Sequence, residues 1–212
     1  MNKFKRRKPQ IYLAGGMENS PDFGVGWRQR AEKWLLEEGW NVHNPCTKET
    51  TIFKRRGVKG STYHKLKTMK TLDAYQSIMQ DLIDFDLKVI KYSDMVLVYW
   101  DEYARGGTIH EVGYAREHGI PVVIMSKGSL KTISGWVLGC ADEVFFKWVD
   151  VKKYLGGKNV NRTIRESKKR KGHSSRRDSK PVQGKKNVVR RTTKSSRKDG
   201  LRLVGSAGKR RS

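Results

Sequence analysis

The chain has 212 residues and a formal net charge of +25, length enough for one ordinary domain plus an appendage. The charge sits at the ends. Residues 157–212 hold 21 Lys/Arg against three acids, and five basic residues lie between Lys3 and Lys8, which leaves residues 9–156 nearly neutral. The basic balance therefore says little about any pocket in the middle of the chain.

No apolar run reaches the roughly 20 residues of a membrane span, and no hydrophobic segment of signal-peptide length follows the basic N-terminus. Cys46 and Cys140 form neither a metal-binding spacing nor a disulfide framework, and each reads as a small buried apolar residue. The expectation is a reducing, cytoplasmic setting, no membrane association, and no metal or cofactor.

Gln10–Ala14 reads as a buried strand that ends in a tight Gly15-Gly16 loop. Trp27, Ala31, Trp34 and Leu35 recur on one helical face up to about Glu38, with Gly39 as the stop signal. Trp40–His43 is a second short strand, closed by Asn44-Pro45. Residues 47–68 are polar and basic and read as a loop or lid. A longer helical pattern runs from about Thr71 to Tyr92. Met95–Trp100 (MVLVYW) is the strongest strand pattern and leads through Asp101, Glu102 and Gly106-Gly107 into a helix from about Ile109 to Glu117. Ile120–Met125 is another buried strand and Glu143–Phe146 a last one.

Near-continuous apolar strands alternating with helices indicate a mostly parallel sheet covered on both faces. The fold class is α/β, a Rossmann- or flavodoxin-like sheet of about five strands. In such sheets the ligand lies at the carboxyl ends of the strands. Three loops should converge there: 15–23, the segment from Asn44 onward, and 101–108. The organisation is a basic leader over residues 1–9, an α/β domain over 10–155, and a disordered Lys/Arg-rich tail over 156–212. That tail lacks aromatics and is rich in Ser and Gly, so it cannot bury enough apolar surface to offset ordering its backbone.

The densest acids flank the MVLVYW strand: Asp86 late in the long helix, Asp94 before the strand, Asp101 and Glu102 after it, and Glu111 in the first turn of the next helix. Glu111 has two readings. Thr108-Ile-His-Glu111 has the T-x-x-E spacing of a capping box, in which the glutamate satisfies a free backbone N–H. The same carboxylate also lies at the strand-end crevice, where the positive end of the helix favours its ionised form. His110 is adjacent to it in sequence and is expected to point elsewhere. Arg28 and the basic residues of Lys54–Lys70 either meet phosphates or form a solvated face.

Four stretches carry a resemblance: IYLAGGM at Ile11–Met17, GWR at Gly26–Arg28, NP at Asn44-Pro45, and SDMVLVYWDEYARGGTIHEVGYA at Ser93–Ala115. Together they resemble the nucleoside 2-deoxyribosyltransferase family and its nucleoside-5′-monophosphate N-glycosidase relatives, over roughly residues 10–147. The resemblance implies that Glu111 is the nucleophile that attacks the anomeric carbon and displaces the base. Such chemistry passes through an oxocarbenium-like transition state, which needs a carboxylate on one face of the sugar and a proton donor near the leaving nitrogen. Asp86, eight residues before Asp94, matches the general acid/base; its bland reading is a solvated helix acid. Tyr12 matches a first-strand tyrosine that holds the nucleophile by a hydrogen bond; its bland reading is a core aromatic. Gly15, Gly16 and Met17 match the loop that lets backbone approach the ligand, and the resemblance implies that Gly107, in the G-T-x-x-E motif, also belongs to the substrate-binding residues.

Two departures bear on the substrate. Where the transferases carry an aspartate for the sugar 5′-hydroxyl, six residues before the nucleophile, this chain has Arg105, which suits a 5′-phosphate. A short shift in that loop would instead bring Asp101 or Glu102 into the role. The asparagine that the transferases donate across a subunit interface has no match near Lys131–Trp136. The resemblance also implies a homo-oligomer.

In the tail, Lys168–Lys171, Arg176-Arg177, Lys185-Lys186 and Arg190-Arg191 form clusters spaced by Ser, Gly and Thr. Such an arm binds DNA or RNA through counterion release, without base readout; a solubilising extension is the bland reading. The leading expectation is thus an enzyme that cleaves or exchanges the N-glycosidic bond of a (deoxy)nucleoside or its monophosphate through a glycosyl-Glu111 intermediate. The competing ones are a nucleotide N-glycoside hydrolase, a nucleic-acid-binding protein whose domain is a catalytically silent sensor, and an enzyme acting on a nucleotide within a polymer.

Overall fold

The computed structural model describes residues 7–56, 72–157, 163, 164 and 166. The expected tail from residue 167 onward and residues 57–68 of the expected lid lie outside them. Five strands, β1 (Gln10–Gly15), β2 (Asn41–His43), β3 (Met95–Trp100), β4 (Val122–Ser126) and β5 (Glu143–Phe145), form one sheet in the order β2-β1-β3-β4-β5. Every pairing is parallel.

The helices follow from spacing and end signals. α1 (Val25–Glu37) buries Trp27, Arg28, Ala31, Trp34 and Leu35, the 3-and-4 spacing of a core-facing stripe. α2 (Pro45–Arg55) replaces the beginning of the expected loop. Its signal is local: the Asn44 side chain accepts from the Cys46 N–H, and Pro45 occupies the first turn, where a missing N–H costs nothing. Asn44-Pro45 thus starts a helix as well as closing a strand. α3 (Leu72–Tyr92) and α4 (Gly106–Glu117) flank β3 in sequence, and α5 (Gly135–Cys140) and α6 (Trp148–Leu155) flank β5. Neither cysteine is in a disulfide among the described residues, and both are half-buried, not fully buried as expected.

Side chains on a strand alternate between the two faces of the sheet, and this divides the core. Ile11 and Leu13 of β1 pack with α1 and α6, whereas Tyr12 and Ala14 pack with Val112 and Ala115 of α4 and Ile90 of α3. A smaller cluster of Phe53, Ile78 and Leu82 joins α2 to α3. The folded part also extends beyond the expected boundary at residue 155. Thr163 and Ile164 are helical, Ile164 packs into the α1 side of the core, and the Tyr154 and Thr163 hydroxyls lie 2.6 Å apart. One isoleucine among basic and polar residues is too weak a pattern to mark this in sequence.

Candidate functional site

The strand order 2-1-3-4-5 reverses direction between β1 and β3, and in doubly wound sheets the crevice opens beyond the carboxyl ends of the strands at that point. A cavity of about 410 Å³ lies there. Its walls are the loop 15–19 after β1, the segment 103–111 after β3, and one face of α3 that includes Leu82 and Asp86. Of the three loops expected to converge, the first and third do. Among the described residues, 44–56 are not part of the lining; 45–55 are taken up in α2, and α3 forms a wall of the cavity.

Because Tyr12 lies on the α4 side of the sheet, its phenol can reach the helix. Tyr12 Oη donates to Glu111 Oε1 at 2.7 Å. Tyr12 is fully buried, and burial raises its pKa well above the ordinary phenol value; the negative charges of Glu111 and Asp86 and the bond to Glu111 add to the rise, opposed by Arg28. The phenol therefore stays neutral and donating at any physiological pH, so that it directs the carboxylate on the cavity wall.

The capping-box reading of Glu111 fails. α4 begins at Gly106 with Arg105 as N-cap and no side-chain cap bond, so Thr108 lies within the first turn and Glu111 in the second. The Gly-Gly pair, read as punctuation, is the helix start itself. His110 is exposed, in keeping with its reading as a structural or exposed residue, but it lies on the cavity wall beside Glu111 instead of pointing elsewhere.

Asp86 lines the cavity from α3, its side chain only 16% exposed, and is therefore no solvated helix acid. Behind it lies His43, a residue that the sequence reading passed over. β1–β2 pairing sets Tyr12 opposite His43, and the two rings stack with centroids 5.4 Å apart at 9°. Phe85 contacts the imidazole at 5.5 Å. His43 Nε2 lies 3.9 Å from Asp86 Oδ1 and is buried with no hydrogen-bond partner among the described residues.

Arg28 neither meets the cavity nor belongs to a solvated face. It is 1% exposed, and its guanidinium donates to the carbonyls of Leu13, Gly15, Gly16 and Gly24. It ties the first loop down from beneath. Gly24, at φ 67°, closes that arrangement, since a Cβ there would collide with Arg28 Nη1 and the Gly16 carbonyl. Arg28 was recoverable from sequence in one respect: it shares the 3-and-4 spacing of Ala31 and Leu35.

Gly16 brings the loop against the β3–α4 segment; a Cβ on it would lie 2.6 Å from the Tyr103 carbonyl carbon. Gly15, Gly16, Met17, Arg105 and Gly107 all line the cavity. Asp101 and Glu102 do not. Asp101 Oδ1 accepts from the backbone N–H groups of Tyr103 and Ala104; burial raises its pKa, and those two bonds oppose the rise. Glu102 pairs with Lys127 on the surface. Asp94 is likewise structural, accepting from Arg7 and from the Gln10 N–H. Of the three candidates for the sugar's 5′ end, Arg105 is the one at the cavity. Glu18, unmarked in the sequence, also lines it.

Among the described residues no group of three His, Cys, Asp or Glu side chains is arranged to hold a metal ion, and no helix is long and apolar enough to cross a membrane.

No protein-family model and no curated protein matches the chain. Solved structures are similar to it, among them the following three. A 2-deoxyribosyltransferase from Bacillus psychrosaccharolyticus is 22% identical with a TM-score of 0.47, over 68% of this chain and 91% of that one. A 2-desoxiribosyltransferase from Leishmania mexicana is 16% identical with a TM-score of 0.44, over 70% and 97%. A CMP N-glycosidase from Clostridium botulinum is 15% identical with a TM-score of 0.38, over 69% and 96%.

Proposed function

We propose that this protein is an enzyme that cleaves the N-glycosidic bond of a (deoxy)nucleoside or its monophosphate, with Glu111 as nucleophile and Asp86 as acid/base. The observation that carries the reading is the Glu111 carboxylate on the cavity wall, held at 2.7 Å by a buried, neutral tyrosine, with a second carboxylate, Asp86, lining the same cavity. A pair of carboxylates, one to attack and one to serve the leaving group, is what displacement at an anomeric carbon requires. The motifs of residues 11–17 and 93–115 support the same assignment.

In this reading a Glu111 oxygen bonds to C1′ as the C1′–N bond breaks. The electron pair goes to the base nitrogen, which takes a proton delivered through Asp86. The glycosyl ester then yields to water, giving the free sugar, or to a second base, giving a new nucleoside; Asp86 accepts the proton that the incoming group loses. Tyr12 holds the carboxylate throughout without exchanging a proton.

Incubation of the protein with deoxynucleosides and their 5′-monophosphates, with and without an acceptor base, tests this by chromatography of free base and new nucleoside. Wild-type turnover that vanishes in Glu111→Ala is the expected result. Absence of turnover on every substrate overturns the enzymatic reading, and unchanged turnover in Glu111→Ala overturns the nucleophile.

A monophosphate substrate is favoured by a specific observation. Arg105 and the first turn of α4, Gly106 to Thr108, line the cavity, and an arginine beside a helix N-terminus suits a phosphate. The basic residues after 156 add non-specific affinity for DNA or RNA, so that removing residues 167–212 abolishes salt-sensitive nucleic-acid binding and spares small-substrate turnover.

A further inference from the structure

We propose that His43 is a positioning residue that shares one proton with Asp86 and keeps that carboxylate supplied during turnover; the inference rests on the acid/base reading of Asp86. Three observations converge on it. The imidazole is held between Tyr12 and Phe85, so its plane is fixed and Nε2 has one direction to face. That nitrogen is buried with no hydrogen-bond partner among the described residues, a costly arrangement unless the atom has a use. The charged group it faces is Asp86 Oδ1 at 3.9 Å, within ion-pair reach though longer than a hydrogen bond.

The proton balance is simple. An imidazolium–carboxylate pair carries one transferable proton. As the base departs, His43 Nε2 gives its proton to Asp86 Oδ1, and the carboxyl group turns and passes that same proton from Oδ1 to the leaving nitrogen. Neutral imidazole and carboxylate remain. When water or an acceptor base attacks the glycosyl ester, Asp86 takes its proton and returns one to Nε2. The other titratable and charged groups around the pair are Tyr12 on β1, Glu111 on α4 and Arg28 on α1, with Glu18, Arg105 and His110 on the wall of the same cavity. Tyr12 stays neutral and Glu111 is consumed as the ester, and His43 is the group packed behind Asp86 with a ring nitrogen 3.9 Å from its carboxylate.

The decisive variants are His43→Phe, which keeps the ring stack and removes the nitrogens, and His43→Gln, which keeps a donor. In His43→Phe, kcat falls by about 10- to 100-fold with KM little changed, and the alkaline limb of the kcat profile moves to lower pH. His43→Gln recovers part of kcat without restoring the limb. Independently of turnover, the 15N titration of His43 in the full-length protein moves to lower pH in Asp86→Asn. A His43→Phe enzyme that folds with wild-type kcat and pH profile overturns the inference while the glycosidic reading stands. A wild type inactive on every nucleoside and nucleotide fells the glycosidic reading instead. The His43 titration then decides the coupling alone, and a curve unmoved by Asp86→Asn overturns it.

Discussion

Tyr12 and Glu111, 99 residues apart in the chain, meet through a 2.7 Å hydrogen bond because strand alternation turns Tyr12 toward α4 while the second turn of α4 lies over β1. A hydrogen bond to a charged group contributes about 1.5–3 kcal/mol net, worth roughly 10- to 100-fold in rate when the reaction depends on it. Tyr12→Phe fills the same space and removes only the hydroxyl. Its kcat is expected to fall by about 10- to 100-fold with KM within about threefold, measured on whichever nucleoside or nucleotide the wild type turns over. Wild-type kcat in this variant sinks the orienting role.

The same phenol makes stability depend on pH at the alkaline end. Burial, reinforced by Glu111 and Asp86, raises the Tyr12 pKa in the folded state, whereas in the unfolded chain it ionises near the ordinary value of about 10. Between those two values the folded state binds more protons than the unfolded one, so unfolding free energy falls as pH rises. The contribution is fully present below pH ~10 and is lost as pH climbs toward the folded value. Denaturant titrations from pH 8 to 11 are expected to give a decline that is shallower in Tyr12→Phe. Equal slopes in the two proteins contradict the shift.

Local pattern and long-range geometry were unequally visible in the sequence. β3 appears residue for residue in MVLVYW, because a strand buried on both faces is written as an unbroken apolar run. α2 does not appear, since its residues are polar and its signal is only the Asn44 cap and Pro45. The start of α4 was displaced to Ile109 because paired glycines read as a loop when their neighbours are unknown. At the site, Glu111, Asp86 and Tyr12 were marked by motif. Arg28 was noticed for its charge and misjudged, because its partners are carbonyls of another element, Leu13 to Gly16, which no pattern in α1 encodes. His43 was read as the end of a short strand; its place against Tyr12 comes from the β1–β2 register, a pairing fixed only when the sheet assembles.

Gly16 and Gly106 separate steric need from mere flexibility at the cavity rim. A Cβ on Gly16 would lie 2.6 Å from the Tyr103 backbone, whereas one on Gly106 meets nothing within 4 Å. Gly16→Ala must push the β3–α4 segment, and with it Arg105 and the α4 start, away from the first loop. KM is expected to rise about tenfold or more and stability to drop by about 1–3 kcal/mol, the usual cost of overpacking. Gly106→Ala is expected to be neutral or up to about 1 kcal/mol more stable, since alanine suits a helix better. Thermal melts and KM of the two variants side by side check this; a Gly16→Ala protein indistinguishable from wild type in both refutes the close approach.

In the proposed function, Arg105 is the residue that would separate nucleotide from nucleoside. It is exposed at the N-cap of α4 and lines the cavity, while Asp101 and Glu102 are engaged with backbone N–H groups and Lys127. A guanidinium at that place gains far more from a phosphate dianion than from a neutral 5′-hydroxyl, whose proton an aspartate would have accepted. Arg105→Ala is therefore expected to lower kcat/KM for a 5′-monophosphate by about 10- to 100-fold, the worth of a charge-assisted bond, and to leave the matching nucleoside within about threefold. Arg105→Asp should reverse the order of preference, because the carboxylate repels the phosphate and accepts the hydroxyl. Equal losses on both substrates in Arg105→Ala place the residue in folding of the loop and remove it from substrate choice.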